Sequence, residues 1–217
     1  MFEIIKRGGV LMVPIILCSI AALAIIIERL IQVRKAGKLT RAFLFKVEQA
    51  LVLGKSREVE KLSQSSEGPM ASIFRAGLGA AAFGDERVKE ALDEAGRKEI
   101  AGLEKYLGGL STIIGGAPLL GFLGTVLGMI QAFQRIEQLG GNVNASVLAG
   151  GIWQALITTA AGLSVAIPAL FAHNYILARI RSVVTQMEEN SNRLIRVLRE
   201  REDRVEVHDE SEVSVKS

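Results

Sequence analysis

The chain has one cysteine, Cys18, in 217 residues. A single thiol cannot close an internal disulfide or build a cysteine metal site within one chain. Lying inside an apolar run, it reads as a small, inert, buried hydrophobe. Leu17 before it is not the small residue that a lipoprotein site wants. Charge is absent in blocks. Asp, Glu, Lys and Arg make up 23% of the chain, yet residues 8–27, 106–134 and 138–178 contain none, giving runs of 20, 29 and 41 residues. Also missing are a nucleophile–base set, a metal cluster and a phosphate loop. Gly121, Gly124 and Gly128 lie in an apolar run and not at a strand-to-helix turn. The chain is therefore read as non-enzymatic and without a cofactor. A net charge of +3, with no basic patch interleaved with aromatics, argues against a nucleic-acid partner.

What is present is apolar sequence in membrane-sized blocks. About 20 mostly apolar residues are needed to cross about 30 Å of hydrocarbon as a helix. The three charge-free runs give three spans, at 9–31, 107–133 and 146–178. Lys6 and Arg7 before the first run also suit a signal peptide. The run is longer than a usual signal core of about 7–15 residues, however, and no small-x-small cleavage site follows it, so a signal anchor fits better. The expected fold is an all-α membrane protein, with long helices continuing into the cytoplasm.

Basic residues orient it. The stretch from Arg34 to Lys105 carries 14 Lys and Arg, and the stretch from Arg179 onward carries 8. The link between the second and third spans carries only Arg135. Lys and Arg stay on the cytoplasmic side. Residues 1–8 and the loop 134–145 are thus placed outside, and 32–106 and 179–204 inside. Within 32–106, apolar residues recur at helical spacing over Ala42–Leu53 and Arg57–Leu62, with a Ser-rich break ending in Gly68-Pro69. Asp85 reads as an N-cap, and Glu86–Tyr106 as a charged helix running unbroken into the second span. Ile180, Val184, Met187, Ser191, Leu194 and Leu198 carry a stripe beyond the third span. Residues 205–217 are polar, acidic and aperiodic, the composition of a disordered tail.

The second span carries Pro118, Gly121, Thr125, Gly128 and Ala132 at spacings of three and four, hence on one face. The third carries Ala155, Thr159, Gly162, Ala166 and Ala169 in the same way. Stripes of small residues let helix backbones approach closely in lipid. Two readings stay open: packing of these helices on each other, or a lumen formed when several copies associate. One chain with three spans is too thin to enclose a path. No Asp, Glu, Lys or Arg lies deep in any span, although ion and proton paths usually carry such residues. Either no proton moves here, or another protein brings the acid. Three spans without an inverted repeat or a polar mid-membrane site make a solute transporter a poor fit. A passive scaffold for other proteins is the alternative.

The run Gly121-Phe122-Leu123-Gly124-Thr125-Val126-Leu127-Gly128-Met129-Ile130 closely resembles the ExbB/TolQ family. So do Gly151–Leu163 and Ile167-Pro168-Ala169, with Glu28-Arg29-Leu30 and Pro69–Leu78 in support. The resemblance covers nearly the whole chain, and the family is distantly related to the flagellar stator protein MotA. It implies a homopentamer in the bacterial inner membrane, with the second and third spans lining a pore. It implies an ExbD- or TolR-like single-span partner with a membrane aspartate, and work delivered through a TonB- or TolA-like protein. The expected pore-lining residues are Thr125, Thr159, Gly121, Gly128, Ala155, Gly162 and Ala166. Gln154 stands where well-known members have Glu. It keeps the size and hydrogen bonding of that residue but cannot titrate.

Overall fold

The computed structural model describes residues 8–52, 56–139 and 145–215, with side chains described at 8–50, 57–139 and 148–198. Most of the expected N-terminal segment 1–8 and the polar turn Gly140–Asn142 lie outside the described residues. Among the described residues six α-helices follow one another: α1 Met12–Val52, α2 Ser56–Ser65, α3 Pro69–Ala80, α4 Asp85–Glu104, α5 Leu107–Gln138 and α6 Ala145–Val215. A short 3-10 turn, Ala81–Phe83, joins α3 to α4. Among the described residues three helical stretches are long and apolar enough to cross a membrane, one in α1, one in α5 and one in α6.

The breaks between helices have local causes. Gly68 has φ 110 and is followed by Pro69 at the start of α3, where the missing N–H costs nothing. Gly84 has φ 90, and its carbonyl accepts from Val88 N at 3.1 Å. The capping position is therefore Gly84, and Asp85 is the first helical residue, so the helix starts one residue earlier than the sequence suggests. Asp85 and Glu86 set negative charge against the positive end of the α4 dipole.

Two expectations change. The helix entering the second span is not continuous from Glu86. It stops at Glu104, Tyr106 adopts a left-handed φ of 66, and α5 starts afresh at Leu107 with Leu110 N bonded to Tyr106 O at 3.0 Å. Residues 205–215 are not irregular either, because α6 runs as helix to Val215.

The chain divides into two compact units. The first comprises Met1–Leu30 and Lys105–Leu177. Its interior is made largely of small residues on α5 and α6, together with Leu107, Leu110 and Ile176 on those helices and Met12, Ile15 and Ala22 from α1. Large apolar side chains point outward on all three helices, among them Leu17, Ile20 and Leu23, Leu119 and Phe122, and Leu156 and Phe171. Only 17%, 22% and 28% of the three apolar stretches is buried, so most of this surface needs lipid or other chains to cover it.

The second unit comprises Ile31–Glu104 and Ala178–Ser217. Phe43 and Phe74 meet edge to face with centroids 5.2 Å apart. Val33, Val47, Met70, Ile73, Val88, Leu92, Ile180, Met187 and Leu194 complete a conventional apolar core. Arg75 closes the link between α2 and α3 by donating to the Ser63 carbonyl at 2.8 and 3.2 Å. Of the stripe expected beyond the third span, Ile180, Met187 and Leu194 are buried, while Val184, Ser191 and Leu198 are half-buried at its edge.

Candidate functional site

The small-residue stripes meet each other within one chain. A side chain at Gly128 would contact Gly151 O at 3.1 Å and Ala155 N at 3.2 Å. One at Gly121 would lie 2.9 Å from Thr158 O and 3.0 Å from Thr159 Cα. One at Gly162 would overlap the Ala117 carbonyl. Residue numbers fall along α6 as they rise along α5, so the two helices run antiparallel at backbone contact distance. Glycine is required here for close approach, not for its conformational freedom.

The contact faces keep Gly121, Gly128 and Ala132 on α5 and Ala155, Gly162, Ala166 and Ala169 on α6, but turn by roughly 20–40° so that Ala117 and Gly124 replace Pro118 and Thr125, and Thr158 replaces Thr159. On α5 the buried row is Ala117, Gly121, Gly124, Gly128 and Ala132, and on α6 it includes Gly151, Ala155, Thr158, Gly162 and Ala166. Thr158 is fully buried. Its hydroxyl donates to Ala155 O at 2.9 Å and Gln154 O at 3.1 Å, and its side chain fills the hollow at Gly124. Sequence reasoning passed over this knob and hole. The spacing of Gly124 from Gly121 and Gly128 was the available signal.

Of the seven expected pore residues, Gly121, Gly128, Ala155, Gly162 and Ala166 are therefore buried inside a single chain. Thr125 and Thr159 are half-buried. At 100° per residue on antiparallel helices, both threonines fall on the same flank of the α5–α6 pair. The opposite flank carries Gln154, Ile157 and Gly109, and there α1 packs. The Gln154 amide sits over Gly9, a side chain at Gly8 would be 3.4 Å from Ile157 Cγ2, and one at Gly109 would reach Ile25 Cδ1 at 4.0 Å. Gln154 and Thr159 are five residues apart, about 140° around the helix. The structure does not bring Gln154 together with the threonines.

Both threonine hydroxyls have their proton committed. Thr159 Oγ1 donates across the helix pair to Gly121 O at 3.1 Å, and Thr125 Oγ1 donates to Phe122 O at 2.6 Å. A carbonyl oxygen has no proton to give, so the hydroxyl must be the donor in each bond. What remains is lone pairs, and the flank offers acceptors only. In this arrangement it suits a neutral donor, such as a protonated carboxylic acid, better than a carboxylate.

Charge gathers at the ends of the unit. At one end Arg29 is buried, paired with Glu28 at 2.7 Å and placed 5.4 Å from the centroid of the Tyr106 ring. Lys105 Nζ lies 4.8 Å from the same ring. Arg135 and Glu137 mark the other end of α5, and both are exposed.

These features define an integral, multi-pass membrane protein built on a close-packed antiparallel helix pair with one polar, uncharged flank. Residues 65–189 match the MotA/TolQ/ExbB proton channel family. An ExbB-like biopolymer transport protein of Synechocystis is 36% identical over 177 residues, 77% of this chain and 80% of the relative. An ExbB biopolymer transport protein of Vibrio cholerae is 30% identical over 174 residues, 76% and 74% of the two chains. An ExbB homologue of Methanothermobacter thermautotrophicus is 29% identical over 187 residues, 86% and 66%. The chain belongs to the MotA/TolQ/ExbB family.

Proposed function

We propose that this chain is the ring-forming subunit of a proton-driven device in the bacterial inner membrane, and that it energises transport or mechanical work at the cell envelope. It acts without catalysing covalent chemistry and without a cofactor. Five copies surround a central lumen. An ExbD- or TolR-like single-span protein stands in that lumen and supplies the aspartate that these spans lack. The output passes through a TonB- or TolA-like protein.

The observation that carries the reading is the flank with Thr125 and Thr159. It is the side of the helix pair that α1 leaves uncovered, it bears no charge, and its hydroxyls are left as acceptors. Turned toward a lumen, it would bind a carboxylic acid in its neutral form, which is far cheaper to bury than the charged form. Moving one charge through the membrane potential releases about 2.3 kcal/mol per 100 mV, so a few protons suffice for a conformational step. The lumen lining proposed here is Thr125 and Thr159 with their flanking neighbours. Gly121, Gly128, Ala155, Gly162 and Ala166 hold the helix pair in place behind them. On this reading the segments over 34–105 and beyond 179 lie in the cytoplasm and the N-terminus in the periplasm, which the excess of basic residues in those segments supports.

Co-purification in mild detergent followed by native mass spectrometry tests the reading. A pentamer carrying copies of a short single-span protein with a membrane aspartate supports it. A monomer, or a ring that recovers only large soluble proteins, refutes it and favours a passive scaffold.

A further inference from the structure

Gln154 occupies the place where a side chain on Gly9 would stand. Gly9 has φ +74, a conformation that glycine adopts freely and L side chains avoid. Its carbonyl accepts from Met12 N at 3.1 Å, and Val10 O accepts from Val13 N at 3.2 Å, so this turn is where α1 begins. Gly8 beside it is buried, and a side chain there would overlap Met12 and come within 3.4 Å of Ile157 Cγ2. Ile157 lies three residues after Gln154, on the same face of α6. Two glycines without Cβ atoms thus seat the start of α1 on one patch of α6, and the Gln154 amide closes over it. Thr159 points about 140° away.

We infer that Gln154 is a positioning residue that fixes the start of the first membrane helix against the third, on the side away from the threonine flank. Its length does this work and its ionisation state does not. An unbranched side chain of the same reach serves, whereas a truncated one leaves the Gly8–Val10 turn without its cover. The inference goes beyond the proton-motor reading and stands independently of it, since it concerns contacts within one chain.

The test is a distance. Spin labels are placed at Val10 and Ile152, both exposed, in a Cys18→Ser background of the full chain. The labelled chain is diluted with unlabelled chain in lipid nanodiscs, so that only distances within a chain are read by pulsed electron resonance. The parent protein and Gln154→Met should each give one narrow distribution, and Gln154→Ala a distribution at least twice as broad. Gly9→Ala, which forces a side chain into a left-handed turn under the amide, should broaden it as well. An unchanged distribution in Gln154→Ala overturns the inference, as does broadening in Gln154→Met equal to that in Gln154→Ala. Native mass spectrometry of the same samples keeps the two proposals apart. Loss of the pentamer from the parent protein bears on the proposed function, and an unmoved distance bears on Gln154.

Discussion

Thr158 stands in the space that a side chain at Gly124 would need. Its Cγ2 is 3.0 Å from where that Cβ would be, and its other atoms are closer still. The β-branched side chain is stiff, and two backbone carbonyls hold its hydroxyl, so it cannot swing away. Gly124→Ala is expected to cost about 1–3 kcal/mol, the usual range for overpacking a tight contact. Thermal unfolding in nanodiscs should show a lowered midpoint that Thr158→Ala partly restores. Gly162→Ala should be worse, because its Cβ meets the Ala117 backbone carbonyl. Equal midpoints for Gly124→Ala with and without Thr158→Ala would refute the knob-and-hole contact.

The acceptor character of Thr125 and Thr159 has a sign. An acceptor stabilises the protonated acid and so raises its pKa. If the proposed partner supplies the acid, removing both with Thr125→Val and Thr159→Val should lower that acid's pKa by on the order of one unit, from about 1 kcal/mol per neutral hydrogen bond. Proton-driven activity should fall with it. The Thr→Ser variants keep the hydroxyls and should stay near the parent. Infrared titration of the protonated carboxyl band in the co-purified complex reads the shift. A rise in pKa would mean that the hydroxyls donate to the carboxylate.

Tyr106 combines strain with attraction. A left-handed conformation costs a non-glycine residue about 1–2 kcal/mol, and each cation near its ring returns about 0.5–1 kcal/mol at exposed sites, more where desolvated. Tyr106→Phe keeps both features and should be nearly neutral. Tyr106→Gly loses the ring but relieves the backbone, with a net change within about 1 kcal/mol. Tyr106→Val loses the ring and adds β-branching at positive φ, so it should destabilise most, by about 2 kcal/mol or more. Thermal midpoints in the order Phe, Gly, Val check this. A Val variant as stable as Phe would remove the case for strain.

The second unit should respond to its apolar core and hardly at all to its surface pairs. Arg193 and Glu48 meet at 3.1 Å, both largely exposed, and such pairs are worth about 0–1 kcal/mol. Phe74 is buried against Phe43, and truncating a buried Phe costs about 3–5 kcal/mol. Phe74→Ala should therefore lower the unfolding midpoint far more than Glu48→Gln, and added salt should affect neither strongly.

Three helices long and apolar enough to cross a membrane, and the lack of charge within their apolar runs, were legible in the sequence. Each follows from one-dimensional facts: the length of an apolar run against the thickness of a bilayer, and the high cost of a bare charge within it. The small-residue stripes were legible too, as was the family they signal. Which residue sits at the centre of each stripe was not. Gly121, Gly124 and Gly128 with Ala117 and Ala132 form a band wider than one residue, as do Thr158 and Thr159 with their small neighbours. A step of one residue turns a helix by 100°, and only the neighbouring backbone selects the angle. Tertiary structure alone made Thr158 the buried knob and left Thr159 half open. It set Gln154 under α1, and it broke the helix at Tyr106, where the left-handed position holds no glycine. Local composition controls where a helix sits along the membrane normal, but its rotation about its own axis is settled by contact with the helices beside it.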